Sequence, residues 1–556
     1  MFFYDMSLRG TCSLYEYLYR CIRHDIAHGT IAAGEKLPSK RNLAKHLGIS
    51  LITVEAAYQQ LAAEGYIRSR ERCGYYACDL APAARVNDDV TAEHGTEGVA
   101  EASKNDNLHV SERSNAQFSS WESQNQPRTA ETSSRKSADA RQCALSAPLP
   151  ANPSKQDTTA AEDAAPCTAS PLLADFTHST LATELFPYAT WAKTVRKTLS
   201  DESATSLAEA STAAGSPQLR RAIAAHLRDF RGMDVQADQI VIGAGSQTLY
   251  QLVVQLLGRS RTYAVETPGY PLLARMYQQQ NVTIRRIPLD KGGINITALE
   301  QSGATIAHIM PSHQFPTGIV TSASRRRELL NWAREGDRYL IEDDYDAEFR
   351  MAGRPIPPLF SIDAAERVLY LNSFAKSLGA AFRMAYLVLP PRLAQQFHAQ
   401  LGFYANTVSP LDQLALAHFI ESGSYERHVN RLRTRARKTQ DALVNALKAQ
   451  FGSVISFEGL NNGLHFIMRF ESDRSEADLV AAALNHGVRI AALSAFEGDR
   501  KSTSGFEQAL PHDMATSQAT STANSSIRCP QFILRSDAVD AESAGTVATA
   551  LASAWE

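Results

Sequence analysis

Residues 81–170 hold almost nothing that a folded core could use. The stretch mixes Ser, Thr, Ala, Asn, Asp, Glu and Gln, as in SERSNAQFSSWESQNQPRTAETSSRKSADARQ, with few β-branched or aromatic side chains. So little apolar surface cannot offset the entropy of ordering the chain, and the segment is expected to be a disordered linker. It divides the 556 residues into two folding regions. Residues 1–80 are dense in apolar periodicity, and residues 171–556 alternate apolar strands with amphipathic helices, the pattern of a layered α/β domain. A second polar insert, about residues 499–526, interrupts the larger region and is expected to be a flexible surface loop.

Composition narrows the function classes. The net charge of −3 supplies no global attraction to nucleic acid or membrane, so any DNA-binding surface must be local. The seven cysteines are odd in number and scattered without a CxxC pair, which indicates neither a disulfide framework nor a zinc site and suits a reducing compartment. The start, MFFYDMSLRG, lacks the basic-then-apolar order of a signal peptide, and no run approaches the ~18–20 apolar residues of a membrane helix. A cytoplasmic protein without membrane association is expected.

In SLYEYLYRCIRHDIAHGTI, Leu14, Tyr17, Leu18, Cys21, Ile22 and Ile26 recur at three- and four-residue intervals, which predicts a helix ended by Gly29. LPSKRNLAKHLGIS follows, with Ser39 as N-cap and Gly48 as the turn. Ser50 then caps a further helix running toward Gly65. Helix, short glycine turn, helix is the helix-turn-helix pattern, whose second helix can enter the major groove. In YIRSRERCGYY, Arg68, Arg70 and Arg72 fall on every second residue and so share one face of a β-hairpin wing. With Lys40, Arg41 and Lys45 they make a local basic surface suited to phosphates. Ordinary solvated charges on a small helical domain are the plainer alternative.

These residues resemble the winged helix-turn-helix of the GntR superfamily of bacterial regulators. Many members carry an arginine at the start of the recognition helix, where this chain has Leu51. Thr53 and the flanking Ser50 are the polar groups left to reach double-stranded promoter DNA there.

Four motifs mark the larger region. IVIGAGSQTLYQLVVQLL is a strand, a Gly/Ser turn and a helix, an arrangement that can present backbone N–H groups to an anion but is common in α/β proteins. AVETPGYPLL puts Tyr270 just after a strand, where it could stack on a flat ligand or simply edge the core. RYLIEDDYDAEFR delivers Glu342, Asp343, Asp344, Tyr345 and Asp346 at a strand's carboxyl end, where open α/β sheets bind ligands. Clustered carboxylates could instead hold Mg²⁺ or Ca²⁺, but the tyrosine among them is not a ligand those ions favour, and no metal is expected. LYLNSFAKSLGAAFRMAYLVLP carries Lys376 and Arg383 between two apolar strands.

Taken together, the motifs solve one chemical problem. A lysine can form a Schiff base with an aldehyde, a carboxylate can pair with a pyridinium nitrogen, and a tyrosine can address a ring hydroxyl. A Gly/Ser turn with a serine and an arginine can hold a phosphate. That set describes pyridoxal 5′-phosphate. The order GAGSQ, PGY, HQFPTG, EDDYD, SxxK, R resembles fold-type I aminotransferases over about residues 175–556. The resemblance makes Lys376 the Schiff-base lysine, Asp343 the ring-nitrogen partner, Tyr345 the ring-hydroxyl partner and Tyr270 the stacking aromatic. It assigns Ser246, Gln247, Ser373 and Arg383 to the phosphate.

A winged helix joined by a long linker to such a domain is similar to the MocR subfamily of GntR regulators, including its GABA-responsive and pyridoxine-synthesis members. The resemblance implies a homodimeric transcription regulator that senses pyridoxal phosphate, or an amino compound reacting with it, and changes its hold on DNA. A working aminotransferase with an accessory DNA-binding domain is the alternative. Two departures weigh against efficient turnover. Phe315 in HQFPTG stands where aminotransferases have Asn, with His313 and Gln314 as the nearby polar groups. The arginine expected to clamp a substrate carboxylate aligns with Ala538, and Arg535 is the nearby candidate, although strand alternation could turn it elsewhere.

Overall fold

Ser39 and Ser50 set the geometry of the N-terminal region. The computed structural model describes residues 4, 6–9, 12–70, 74–80, 172–178, 185–351, 356–497 and 529–556; the expected linker, the insert at 499–526 and Arg72 lie outside them. Helix α1 (Leu14–Ala27) buries Leu18, Ile22 and Ile26, four residues apart on one stripe. Helix α2 (Lys40–Leu47) begins where the Ser39 hydroxyl accepts the Asn42 N–H at 3.2 Å. It ends at Gly48, whose φ of 63° is the left-handed conformation that glycine adopts without strain. Ser50 caps α3 (Leu51–Ala63) in the same way, accepting the Thr53 N–H at 3.1 Å. Val54, Tyr58 and Leu61 of α3 close one core with Leu18, Ile22 and Leu43. Strands β1 (Ile67–Arg70) and β2 (Gly74–Ala77) pair antiparallel, with Arg68 opposite Tyr76 and Arg70 opposite Gly74. This is the expected wing.

The larger region is built on an eight-stranded sheet. Its strands in chain order are β3 (Ile240–Gly243), β4 (Thr262–Thr267), β5 (Thr283–Asp290), β6 (Gly293–Ile294), β7 (Ile306–Ile309), β8 (Tyr339–Asp343), β9 (Val368–Ser373) and β10 (Ala385–Val388). They lie in the order β3-β10-β9-β8-β7-β4-β5-β6, and β10 runs antiparallel to both neighbours. The pairs β9–β8, β8–β7, β7–β4 and β4–β5 are parallel. Such strands are covered on both faces, which is why YAV, IAHI and LYL are near-continuous apolar runs rather than alternating ones.

The helices that matter for the site are α4 (Pro217–Arg231), α5 (Ser246–Leu257), α6 (Pro271–Gln279), α7 (Ala323–Arg334) and the single turn α8 (Ala375–Leu378). After the long α9 (Ser424–Phe451) comes a second sheet, β11 (Ile455–Glu458), β12 (His465–Phe470), β13 (Ala491–Ala492) and β14 (Gln531–Arg535), in the order β11-β12-β14-β13. It packs with α9 and the last helix, α10 (Ala544–Trp555), around Leu447, Phe466, Phe532 and Trp555. No helix among the described residues is long and apolar enough to cross a membrane.

The winged helix rests on the start of α7. The Ala323 N–H donates to the Glu64 carbonyl at 3.0 Å, and Gly65 (φ 76°) brings its backbone so close that a Cβ there would sit 3.2 Å from Ser322. The Glu64 carboxylate is buried beneath this contact and accepts the Tyr19 hydroxyl at 2.6 Å. Burial raises its pKa, against the opposing pull of Arg23 and Arg326.

Candidate cofactor site and nucleic-acid interface

Strand alternation at the end of β8 sorts the carboxylates that the sequence places side by side. Glu342 turns away from the cleft and accepts the N–H groups of Leu359 and Phe360 at 2.9 and 3.0 Å. Asp344 is held by Arg231 of α4 and by the Tyr370 hydroxyl at 2.9 Å. Asp343 lies between them on the opposite face. Its Oδ2 accepts the Tyr250 hydroxyl at 2.7 Å and lies 3.3 Å from His308 Nε2, while its Oδ1 is buried with no hydrogen-bond partner. A buried carboxylate oxygen without a donor is costly unless a bound group supplies one. A protonated ring nitrogen fits that requirement.

Lys376 stands one turn beyond β9, in α8. Burial, helped by the neighbouring charge of Arg535, lowers its pKa from 10.5 to about 8, with Asp537 and Asp346 pulling the other way. A sizeable fraction of the amine is therefore neutral near physiological pH, the form that attacks a carbonyl.

The residues expected to take a phosphate lie near the ends of three neighbouring strands. Ser373 pairs with Ala385, and Ala385 with Gly243, so the ends of β9, β10 and β3 lie in one row. The turn after β3 opens α5 at Ser246, and no side chain caps its N-terminus. Gly245 is favoured there by its φ of 86°, a conformation that side chains other than glycine's rarely adopt, and the exposed Arg383 guanidinium lies against it. Arg383 is itself in the left-handed region at φ 48°, is exposed, and donates to the Ala244 carbonyl at 3.3 Å. Gln247 is exposed, and Ser246 and Ser373 are half-buried.

Across the cleft, the Tyr345 hydroxyl lies 3.4 Å from Nδ1 of both His313 and His465. Burial and Asp346 hold its phenol well above the ordinary range. His313 Nδ1 is 2.8 Å from Asp346, and its ring centroid lies 4.1 Å from that of His465. Ligand-type atoms of His313, Asp346 and His465 all fall within 4.8 Å of one another. Burial, His313, Arg535 and Lys376 keep the His465 imidazole neutral, and the two cationic side chains also oppose a divalent ion. Tyr270, half-buried at the start of α6, packs edge-on against Phe315 with centroids 6.2 Å apart. Gln314 is taken up in its own loop, donating to the Pro268 and Phe315 carbonyls at 2.9 and 2.7 Å.

Arg535 ends β14 opposite His465 of β12 and is buried beside Lys376 and Tyr345, whose charges it influences. Strand alternation thus turns it toward the site rather than away. Ala538 instead packs against the core of the second sheet. The Arg535 fork is already occupied, with Nε and Nη2 donating to the two Asp537 oxygens at 2.8 and 2.6 Å.

The structure thus brings Lys376, Asp343, Tyr345, Tyr270 and Arg535 within electrostatic reach of one another, and sets Ser246, Ser373 and Arg383 at the adjoining ends of β3, β9 and β10, with Gln247 exposed beside Ser246. Tyr250, His308, His465 and Asp537 escape sequence reading. Only Tyr250 leaves a signal, four residues after Ser246 and therefore on the same side of α5.

On the winged helix, Arg41, Lys45, Arg68 and Arg70 are exposed. Lys40 is paired with Glu55. The Ser39 and Ser50 hydroxyls are engaged as caps, with Ser50 also 2.8 Å from the Thr53 hydroxyl. Leu51 and Ile52 are 41% and 77% exposed at the start of α3, an apolar pair where a helix would meet base edges. The Arg70 guanidinium lies over the Tyr76 ring at 4.6 Å, which orients the wing.

Known proteins share both parts. Residues 180–504 match the family described as aminotransferase class I and II, and residues 14–76 match the bacterial regulatory proteins of the gntR family. The chain is 32% identical over 481 residues to the HTH-type transcriptional regulator YhdI of Bacillus subtilis, covering 86% of this chain and 88% of that one. It is 28% identical over 492 residues to the pyridoxine biosynthesis transcriptional regulator PdxR of Corynebacterium glutamicum, covering 87% and 89%. To the probable rhizopine catabolism regulatory protein MocR of Rhizobium meliloti it is 26% identical over 482 residues, covering 86% of each. Among solved structures, the multiple substrate aminotransferase of Thermococcus profundus superposes with a TM-score of 0.57 at 22% identity, over 70% of this chain and 92% of that one, a likeness of fold. With a GntR helix-turn-helix in front of an aminotransferase-like domain, and relatives of that whole arrangement along most of its length, the chain belongs to the MocR subfamily of GntR-type transcription regulators.

Proposed function

We propose that this regulator binds pyridoxal 5′-phosphate at Lys376 and that occupation of the site, by the cofactor or by an amino compound reacting with it, alters its grip on promoter DNA. The observation that carries the reading is the bare, buried Oδ1 of Asp343, with Tyr345 two residues on and a lysine of depressed pKa across the cleft. Asp343 accepts the ring N–H, with Tyr250 and His308 holding its other oxygen. Tyr345 would address the ring hydroxyl, and Tyr270 would lie against the ring. Ser246, Gln247, Ser373, Arg383 and the first N–H groups of α5 take the phosphate. When bound, the group supplies a carbonyl that condenses with primary amines.

The winged helix takes double-stranded DNA through the phosphate contacts of Arg41, Lys45, Arg68 and Arg70, with Thr53 and the end of α3 toward the bases. The regulator works as a cytoplasmic homodimer. The sensing chemistry is tested by adding pyridoxal phosphate to the cofactor-free chain, reducing with borohydride and mapping peptides. Pyridoxyl phosphate on the peptide that contains Lys376 is expected. An unmodified Lys376 after saturation of the chain would sink the proposal.

A further inference from the structure

The proposed site is surrounded by charges of both signs, and one of them is already answered from within. Arg535 meets Asp537 through two parallel N–H···O bonds of 2.8 and 2.6 Å, the forked geometry in which a guanidinium receives a carboxylate ligand. The pair is built in. The Asp537 side chain is 0% exposed and that of Arg535 10%. Ser536 between them donates its N–H and its hydroxyl to the Leu464 carbonyl at 2.8 and 3.0 Å, which fixes the backbone from which Asp537 projects. Arg535 also lies opposite His465 and acts on the charge of Lys376, so the occupied fork borders the amine that the proposed function uses.

We infer that Asp537 is a resident carboxylate closing the Arg535 fork, so that the effector is a primary amine carrying no carboxylate and α-amino acids are turned away. An incoming carboxylate finds the fork filled and faces the charge of Asp537, which competes from within the chain at high effective concentration. An incoming amine carries no negative charge and meets no such opposition. The inference rests on the proposed sensing role and deepens it by naming the ligand class.

The test uses the full chain with three probes: ethylamine, L-alanine (the same amine with a carboxylate) and propionate (an acid without an amine). With pyridoxal phosphate bound, the visible spectrum of the wild type is expected to respond to ethylamine at concentrations at least about tenfold below those of alanine. Calorimetry on the cofactor-free wild type is expected to show no propionate binding at millimolar concentrations. Asp537→Asn, which replaces the resident charge by an amide, is expected to tighten both alanine and propionate by at least about tenfold. Asp537→Ser is the second variant, with circular dichroism as the check that either is folded. Equal wild-type responses to alanine and ethylamine, wild-type binding of propionate, or no gain in a folded variant would each overturn the inference. Should the wild type take up no pyridoxal phosphate, the proposed function fails, while the propionate measurements still decide whether Asp537 closes the fork.

Discussion

Arg68 on the wing and Arg535 in the cleft are the same residue type put to opposite use. Arg68 is exposed and makes no ion pair among the described residues, whereas Arg535 is buried and tied to Asp537 by two bonds. The contrast extends to the regions around them. The winged helix displays Arg41, Lys45, Arg68 and Arg70 in water, where each adds a modest, salt-screened attraction to phosphate. The larger domain buries Asp343, Asp346 and Arg535 and leaves Lys376 half-buried beside them. Charges there cost several kcal/mol unless paired, and pairing fixes which ligand fits. Solvated charge suits a surface that must slide along a repeating polyanion; desolvated charge suits a site that must select one molecule.

Breaking the buried side should give the largest effects. Lys376→Ala is expected to abolish the visible absorbance band of the bound cofactor altogether, read by a spectrophotometric titration. Asp343→Asn removes the charge proposed to answer the ring nitrogen, worth about 1.5–3 kcal/mol or roughly 10–100-fold in cofactor affinity. Retained wild-type affinity would mean that Oδ1 is not the ring's partner.

The pKa of Lys376 sharpens the contrast through pH. Its ordinary value of 10.5 falls to about 8 on folding, so the unfolded chain holds this proton more tightly. The partly desolvated ammonium is therefore fully destabilising below pH 8, and the penalty fades as pH rises toward 10.5. By the same token, the rate of cofactor capture should climb about fivefold between pH 7 and 8 and level off above that. A rate still rising steeply at pH 10 would show a lysine with an unperturbed amine.

On the solvated side, Arg68→Ala or Arg70→Ala should weaken all DNA sequences alike, by about three- to tenfold, and reduce the salt slope of binding by about 1 for each arginine. A loss confined to one sequence would make the wing a base reader. The smallest effect is expected at Glu266, whose pKa burial raises from 4.5 to about 8. The folded chain then keeps a proton that the unfolded chain has lost, so this group's contribution to stability falls as pH rises from 4.5 to 8. Glu266→Gln should melt about 2–4 °C above wild type at pH 8 and together with it at pH 5, measured by calorimetry.

What the sequence made legible was what it holds locally. Ser39, Gly48 and Ser50 announce the helix-turn-helix because caps and turns are decided within a few residues. Asp343, Tyr345 and Lys376 were readable because a strand's carboxyl end and a strand–turn–strand each place chemistry in one short motif. The partners that hold these groups in place come from other elements. Tyr250 and His308 reach Asp343 across 93 and 35 positions, and His465 comes within 3.4 Å of Tyr345 across 120. Arg535 was misleading for a different reason. Local sequence leaves open which side of its strand it faces; the register of β14 against β12 shows that side, and the turn after it delivers Asp537.

The account depends on the buried site governing the solvated one. The most direct measurement is the affinity of the full chain for a DNA fragment from its own promoter region, with and without pyridoxal phosphate, in wild type and in Lys376→Ala. The account predicts a change of about fivefold or more on cofactor binding in the wild type and none in the variant. Equal wild-type affinities with and without the cofactor, and with saturating amine present, would contradict it.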